Sequence, residues 1–499
     1  MSDSGDLSDL AAAVLQPGFE GTTVPDWVRR WLGEGLGGVA LFARNVETPA
    51  QVAALTAQLR AERPDVIVAI DEEAGDVTRF ESRHGSSRPG NLGLGAIDDV
   101  DLTCAVARDL GLDLAHAGIT LDYAPDTDVN NNPDNPVIGV RAFGSDAALV
   151  ARHSAAWIRG LQESGVAACA KHFPGHGDTG VDSHHDMPLI GHDLTRLQEV
   201  ELVPFRAAIA AGVRSIMTGH LLVPALDPQL PATLSRRILT GLLREELGFT
   251  GLIVTDAICV GGEHADEHTA TRLRDAVVAA VRSGELSEQR LRDAAFRVRE
   301  LAAWTLERQT AIGARTVADA AGAATQKIAV VGPSAVGRAA ARRALRSTST
   351  PDAPLLPLTV PPHVVEFAPV RNIAIGAETP WGVGAPLGRL LPGTTSVRLS
   401  EDDLAGLSDP AGVVLAGAAG RPLVLVVRDA HRHPWIADTL AGTLAVRPDA
   451  IVIEMGVPVL VGGGLHLATH GATRACGEAA AELLAGAPAP DRAKQALAA

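Results

Sequence analysis

VAACAKHFPGHGDTGVDSHHDMP, residues 166–188, begins as an apolar run and ends as a polar loop. Residues 166–173 read as a buried strand. Pro174, Gly175, Gly177 and Gly180 then rule out a regular helix or a continued strand. His172, His176, Asp178, Asp182, His184, His185 and Asp186 therefore fall at a strand end or on a connection, where a rigid scaffold commonly carries its chemistry. The same construction recurs outward from this stretch. Apolar runs stand at residues 11–19, 37–43, 65–71, 118–124, 214–220 and 251–256, with helical patterns at 49–61, 146–164, 193–211 and 235–247 between them. Strands alternating with helices imply parallel βαβ units. Polar residues gather at the far ends of the runs: Asp71, Asp122 or Asp126, Lys171 with His172, His220 and Asp256. In a (β/α)8 barrel those ends share one rim, which is where the active site lies. A doubly wound open sheet is the second candidate, since it too places ligands at strand ends.

The expected fold is thus α/β, a TIM-like (β/α)8 barrel over residues 1–310. Seven runs are found and an eighth should follow Asp256, but GGEHADEHT leads into helical patterns at 270–283 and onward to about 306. The barrel is expected to be incomplete or irregularly closed near its last strand. Alanine-rich residues 311–326 are expected to link it to a smaller α/β layer domain over 327–485, with residues 486–499 a frayed tail. The second domain opens with KIAVVG and a helical pattern, and its glycine spacing does not match GxGxxG. Further strands are expected at 413–416, 421–428 and 450–454, with a proline-rich interruption at 350–362.

A chain of 499 residues is too long for one core. Its 46% hydrophobic and 20% charged content is that of an ordinary globular protein. A net charge of -16 argues against general affinity for nucleic acid or anionic membrane, and no apolar stretch approaches the length of a membrane span. The first residues, MSDSGDLSDL, are acidic where an export signal would be basic, so a cytoplasmic protein is expected. Cys104, Cys169, Cys259 and Cys476 lack CxxC spacing, which suggests neither a disulfide framework nor a structural zinc site. No cofactor is expected.

On the residues alone, Asp182 and His184 stand two apart and form a candidate general acid/base pair, the carboxylate fixing the imidazole tautomer. The competing reading is a solvated loop, which suits any single histidine better than it suits the cluster. Asp256 ends the apolar run GLIVT and is either a nucleophile or a helix N-cap at a βα junction. A metal-dependent hydrolase using His172, His176, Asp178, His184, His185 and Asp186 is a further possibility. So is a sugar-binding remnant without activity.

KHFPGHG followed by D-S-H resembles the signature of glycoside hydrolase family 3, in its β-N-acetylglucosaminidase branch. LGGVALFARN, VAIDEEAGDVTRF, LDYAPDTDVNNNPDNPVIGVRAFG and ELGFTGLIVTDAI resemble four more of its motifs, in the family's order. The resemblance implies a retaining hydrolase of terminal β-N-acetylglucosamine on a TIM-like barrel. By motif position it implies Asp256 as nucleophile, His184 with Asp182 as acid/base, and Asp71, Arg141, Lys171 and His172 as sugar contacts, with Arg79 and Asp128 in support. A histidine acid/base also raises phosphorolysis as an alternative, because it repels phosphate less than a carboxylate does. The chain departs from the pattern at Ala74, where Gly is usual, at Asp76, where Arg is common, and at Val260, where Met is usual. It also lacks the segment that normally follows the nucleophile. A single Tyr and six Trp make stacking of a long polysaccharide unexpected, so the partner implied is a small carbohydrate such as a muropeptide fragment. The cluster RDAHRHPW, residues 428–435, is expected to be structural or to contact the first domain or the substrate.

Overall fold

The computed structural model describes residues 3–180, 187–257, 266–322, 333–370, 374–376 and 379–486. Short runs of β-branched and small apolar residues form six parallel strands: β1 (Gly38–Leu41), β2 (Ile67–Ile70), β3 (Leu121–Asp122), β4 (Ala167–Phe173), β5 (Ser215–Thr218) and β6 (Leu252–Thr255). They pair in chain order, each with the next. Alternate residues take opposite faces. Val68, Ile70, Ala168 and Ala170 pack outward against the helices, whereas Ile67, Ala69, Ala167 and Cys169 point inward with Leu121 and Met217. By the same parity Lys171 on β4, and Asp256 just beyond Leu252 and Val254, belong to the inward row.

Among the described residues β6 does not pair with β1. The run at 11–19 is not a strand, which corrects the expected seven to six. Its alanine-rich first half ends the helix Asp3–Ala13, as alanine favours, and Pro17 offers no ladder N–H. The segment still lies along the outer edge of β1, where Ala40 N donates to Pro17 O at 3.0 Å and Gly37 N to Ala12 O at 3.3 Å.

The strand starts are covered by the helix Glu288–Gly322. Val298, Leu301, Ala302 and Trp304 fill the interior beneath Ile67, Cys169 and Met217. Gln309 Nε2 donates to Ile119 O at 2.7 Å, Arg297 to Thr250 O, and the Arg214 guanidinium stacks 4.7 Å from the Trp304 ring centroid. The helix runs on to Gly322, through most of the residues expected as a connection. The helical pattern at 193–211 forms two helices, Leu194–Glu199 and Leu202–Ala210. The break falls near Val200, whose carbonyl the ring of Pro204 would meet in a continuous helix.

The second sheet contains β7 (Arg346–Ser349), β8 (His363–Phe367), β9 (Thr395–Leu399), β10 (Leu423–Val427), β11 (Ile451–Glu454) and β12 (Leu465–Ala468). Their order is β7-β12-β11-β10-β8-β9, with β7 antiparallel and the rest parallel. The strands expected at 421–428 and 450–454 are β10 and β11. Residues 413–416 belong instead to the helix Pro410–Leu415 and its end, N-capped by Asp409 through Gly412 N at 2.9 Å. The strand expected at 327–332 lies outside the described residues. No helix among the described residues is long and apolar enough to cross a membrane.

Candidate active site

The inward parity of β4 brings Lys171 to the rim, where its ammonium pairs with Asp71, just past β2, and with Glu73 Oε1 at 2.7 Å. Glu73 also accepts Arg141 Nη2 at 2.7 Å and Arg141 Nε at 3.0 Å. Arg79 Nη2 donates to the other oxygen of Asp71 at 3.2 Å. The side chains of Glu73, Lys171 and Arg141 are almost wholly buried, so these charges are held by one another and not by bulk water.

His172 follows on the next position. Its Nδ1 is 2.8 Å from Asp128 Oδ2 and its Nε2 is 3.4 Å from Arg141 Nη2. Arginine only donates, so Nε2 accepts and the ring proton goes from Nδ1 to Asp128. Asp128 Oδ1 takes the backbone N–H groups of His172 and His176 at 3.2 and 2.7 Å. Asp126, not Asp122, is the strand-end carboxylate on this side, 3.7 Å from Arg141. Asp122 points to the outer face and accepts Glu72 N at 3.0 Å.

The electrostatics follow from burial and neighbours. Burial alone would raise the Asp71 and Glu73 carboxyls, but Lys171 with Arg79 holds the first below its usual range, and Arg141 with Lys171 holds the second at about 2. Asp128 is likewise held down against burial by His172. Burial and the Asp128 charge push Asp126 well up. Burial and His172 bring His176 down to about 4.

Asp71, Arg141, Lys171, His172 and Asp256 line one cavity of about 720 Å³, with Tyr123 on its wall. Asp256 is half-buried. Its backbone N donates to Thr218 O at 3.1 Å and its Oδ1 accepts Ala257 N at 2.7 Å. The helix Glu267–Ser283 has its own N-cap in Asp266, so Asp256 does not cap that helix. His220 turns toward Ala257 O at 3.1 Å and Thr233 Oγ1 at 3.0 Å.

Asp182 and His184 lie outside the described residues, as do His185 and Asp186. The flanks of their segment are firmly fixed. Asn135 Nδ2 holds His176 O and Gly177 O at 2.9 and 3.0 Å, and Ile190 N and Leu222 N exchange bonds with Leu222 O and Pro188 O at 2.9 Å each. Asp178 Oδ2 meets His192 Nε2 at 2.7 Å. Of the residues considered as metal ligands, His172 is brought together with Asp126 and Asp128, their ligand atoms within 4.8 Å of one another. That carboxylate pair already serves the histidine ring, three backbone N–H groups and a guanidinium.

Sequence reasoning missed Glu73, Asp126 and Tyr123 as members of the site. Glu73 stands inside the quoted VAIDEEAGDVTRF segment, and Tyr123 shares the inward parity of Leu121, so both carried a signal. The sequence offers Asp126 only as an alternative strand end to Asp122.

A model described as the Glycosyl hydrolase family 3 N terminal domain matches residues 25–286. Beta-hexosaminidase of Nitrosomonas eutropha is 40% identical over 249 residues, covering 48% of this chain and 70% of that protein. Beta-hexosaminidase A of Pseudoalteromonas piscicida is 38% identical over 264 residues, but those span only 44% of its length and 48% of this chain. Among solved structures, a glycoside hydrolase family 3 beta-N-acetylglucosaminidase from Paenibacillus sp. str. FPU-7 superposes with a TM-score of 0.81 at 31% identity, covering 97% of both chains.

Proposed function

The chain belongs to glycosyl hydrolase family 3, a family of glycosidases, and we propose that it is a retaining enzyme removing terminal β-linked N-acetylglucosamine, or a related β-sugar, from small glycans or muropeptide fragments. The observation that carries this reading is the single cavity in which the Asp256 carboxylate shares walls with Asp71, Arg141, Lys171 and His172. Cationic and anionic groups locked by mutual pairing present donors and acceptors to sugar hydroxyls without reorganising, and such contacts strengthen as the sugar ring gains oxocarbenium character.

In this reading Asp256 attacks the anomeric carbon and the bond to the leaving oxygen breaks, giving a glycosyl-enzyme. His184, oriented by Asp182, protonates that oxygen. It then takes a proton from water as the water displaces Asp256, which restores both groups. We assign the reacting groups to the unit of residues 1–310.

The test is turnover of a chromogenic β-N-acetylglucosaminide by wild type and by Asp256→Asn. Wild type should release the aglycone, and the variant should lose about a thousandfold or more in kcat while still binding the sugar. An Asp256→Asn enzyme of near wild-type rate removes the nucleophile assignment. A wild type that binds sugar without turnover removes the glycosidase reading for this substrate. Sugar 1-phosphate formed only in phosphate buffer identifies phosphorolysis in place of hydrolysis.

A further inference from the structure

Two loops that carry proposed sugar contacts, Asp71 on one and Arg141 on the other, are gripped from behind by the second domain. Asp76 lies in the connection that holds Asp71, Glu73 and Arg79, and both its carboxylate oxygens are taken by residues far along the chain. Arg428 Nη2 sits 2.5 Å from Oδ2, and Ala472 N donates to Oδ1 at 2.8 Å. The pair is buried, the two side chains being 9% and 2% exposed, so it is little screened by solvent. The connection itself is stiff: the Glu72 carboxylate accepts N–H groups of Ala74, Arg79 and Phe80 and the hydroxyl of Thr78. A fixed position for Asp76 is thereby passed on to Glu73, which orients Arg141 and Lys171.

The second loop, residues 130–141, delivers Arg141. His431 Nε2 donates to Pro133 O at 2.9 Å, and a Val457 methyl lies 3.7 Å from where a Cβ on Gly139 would stand. Arg428, His431 and Val457 come from one rigid hub at the ends of β10 and β11. There the Glu454 carboxylate accepts Asp429 N at 2.8 Å and Gly456 N at 2.6 Å, and Asp429 Oδ1 accepts Val457 N at 2.8 Å. Neither Arg428 nor His431 lines the cavity.

We propose that Arg428, through Asp76, and His431, through Pro133, are positioning residues by which the second domain sets the sugar-holding groups of the first. This rests on the reading of Asp71, Arg141, Lys171 and His172 as sugar contacts. Full-length Arg428→Met, Arg428→Lys, His431→Ala and His431→Gln are compared with wild type by steady-state kinetics on the chromogenic substrate and by amide hydrogen exchange over residues 72–80 and 133–141. Arg428→Met should raise KM about tenfold with kcat changed far less, and His431→Ala about fivefold, from the loss of one buried ion pair and one neutral hydrogen bond respectively. Exchange should quicken in the first segment for Arg428→Met and in the second for His431→Ala. Arg428→Lys and His431→Gln, which keep a donor, should restore most of each loss. A merely structural role would lower the unfolding midpoint without this split or this rescue. If Arg428→Met does not fold, the half-exposed His431 variants carry the test. Unchanged KM and unchanged exchange in variants of an active enzyme overturn the proposal. An inactive wild type overturns the functional reading instead, and the exchange data then decide alone whether these loops depend on the second domain.

Discussion

Replacing Glu73 by Gln tests the electrostatic centre of the site. The carboxylate is buried between Arg141 and Lys171, with three contacts at 2.7–3.0 Å. Gln keeps the shape and one acceptor but removes the charge, leaving two buried cations short of a partner. Breaking a buried ion pair from one side costs about 3–5 kcal/mol. The folded carboxyl is held at about 2 against an ordinary 4.5. At about 1.4 kcal/mol per pH unit, that depression is worth about 3 kcal/mol. The sign follows from proton binding: between those values the unfolded chain takes up the proton and the folded one does not. The contribution is therefore complete above pH 4.5 and is lost as pH falls toward 2. Urea unfolding followed by tryptophan fluorescence should show Glu73→Gln less stable than wild type by about 3 kcal/mol at pH 7 and by about 2 kcal/mol at pH 3.5. Arg141→Met in the same chain should recover part of the loss, because it removes one stranded charge. A difference under about 1 kcal/mol at pH 7, or one that does not shrink on acidification, would refute the account of how these charges are held.

His176 also loses stability on acidification, in a higher pH window and because the fold holds its neutral form. Its ring is held neutral down to about 4 by burial and by His172, whereas an unfolded histidine protonates near 6.5. Wild type should lose about 3 kcal/mol between pH 7 and pH 4 that His176→Asn does not lose, read from urea midpoints across that range. Leu301→Ala, under the inward row, should cost about 2–4 kcal/mol in the same assay and leave KM unchanged, since the site lies at the other end of the strands. Activity should survive dialysis against a chelator. Loss on dialysis with recovery on adding zinc would turn the Asp126, Asp128 and His172 cluster into a metal site.

Much of the site was legible because glycine and proline mark where strands stop, and period-two alternation says which way the last residues point. Lys171, Asp71 and Asp256 follow from those two rules. Glu73 and Asp126 do not, because their roles come from partners 68 and 15 residues away in Arg141. In the second domain β10 and β11 were legible as continuous apolar runs. Fully exposed β7 and mostly exposed β9 were not, since edge strands carry polar residues. The run at 11–19 misled because alanine and leucine serve a helix as readily as a strand over a short window.

Among the described residues β6 pairs with β5 and not with β1, and that bears unequally on the two halves of the site. The contacts among Asp71, Glu73, Arg141, Lys171, His172 and Asp128 depend on β2, β3, β4 and their loops, and those strands are buried throughout. Asp256 depends on β6, which is only half-buried along its length and exposed at Thr255. Its backbone N donates to Thr218 O, and its carboxylate is held by the N–H of Ala257. Sugar-holding geometry therefore does not depend on how the barrel closes, whereas the approach of the nucleophile rests on a strand that, among the described residues, pairs only with β5. Variants that disturb β6 should accordingly lower kcat with KM little changed, and variants at Glu73 should do the reverse.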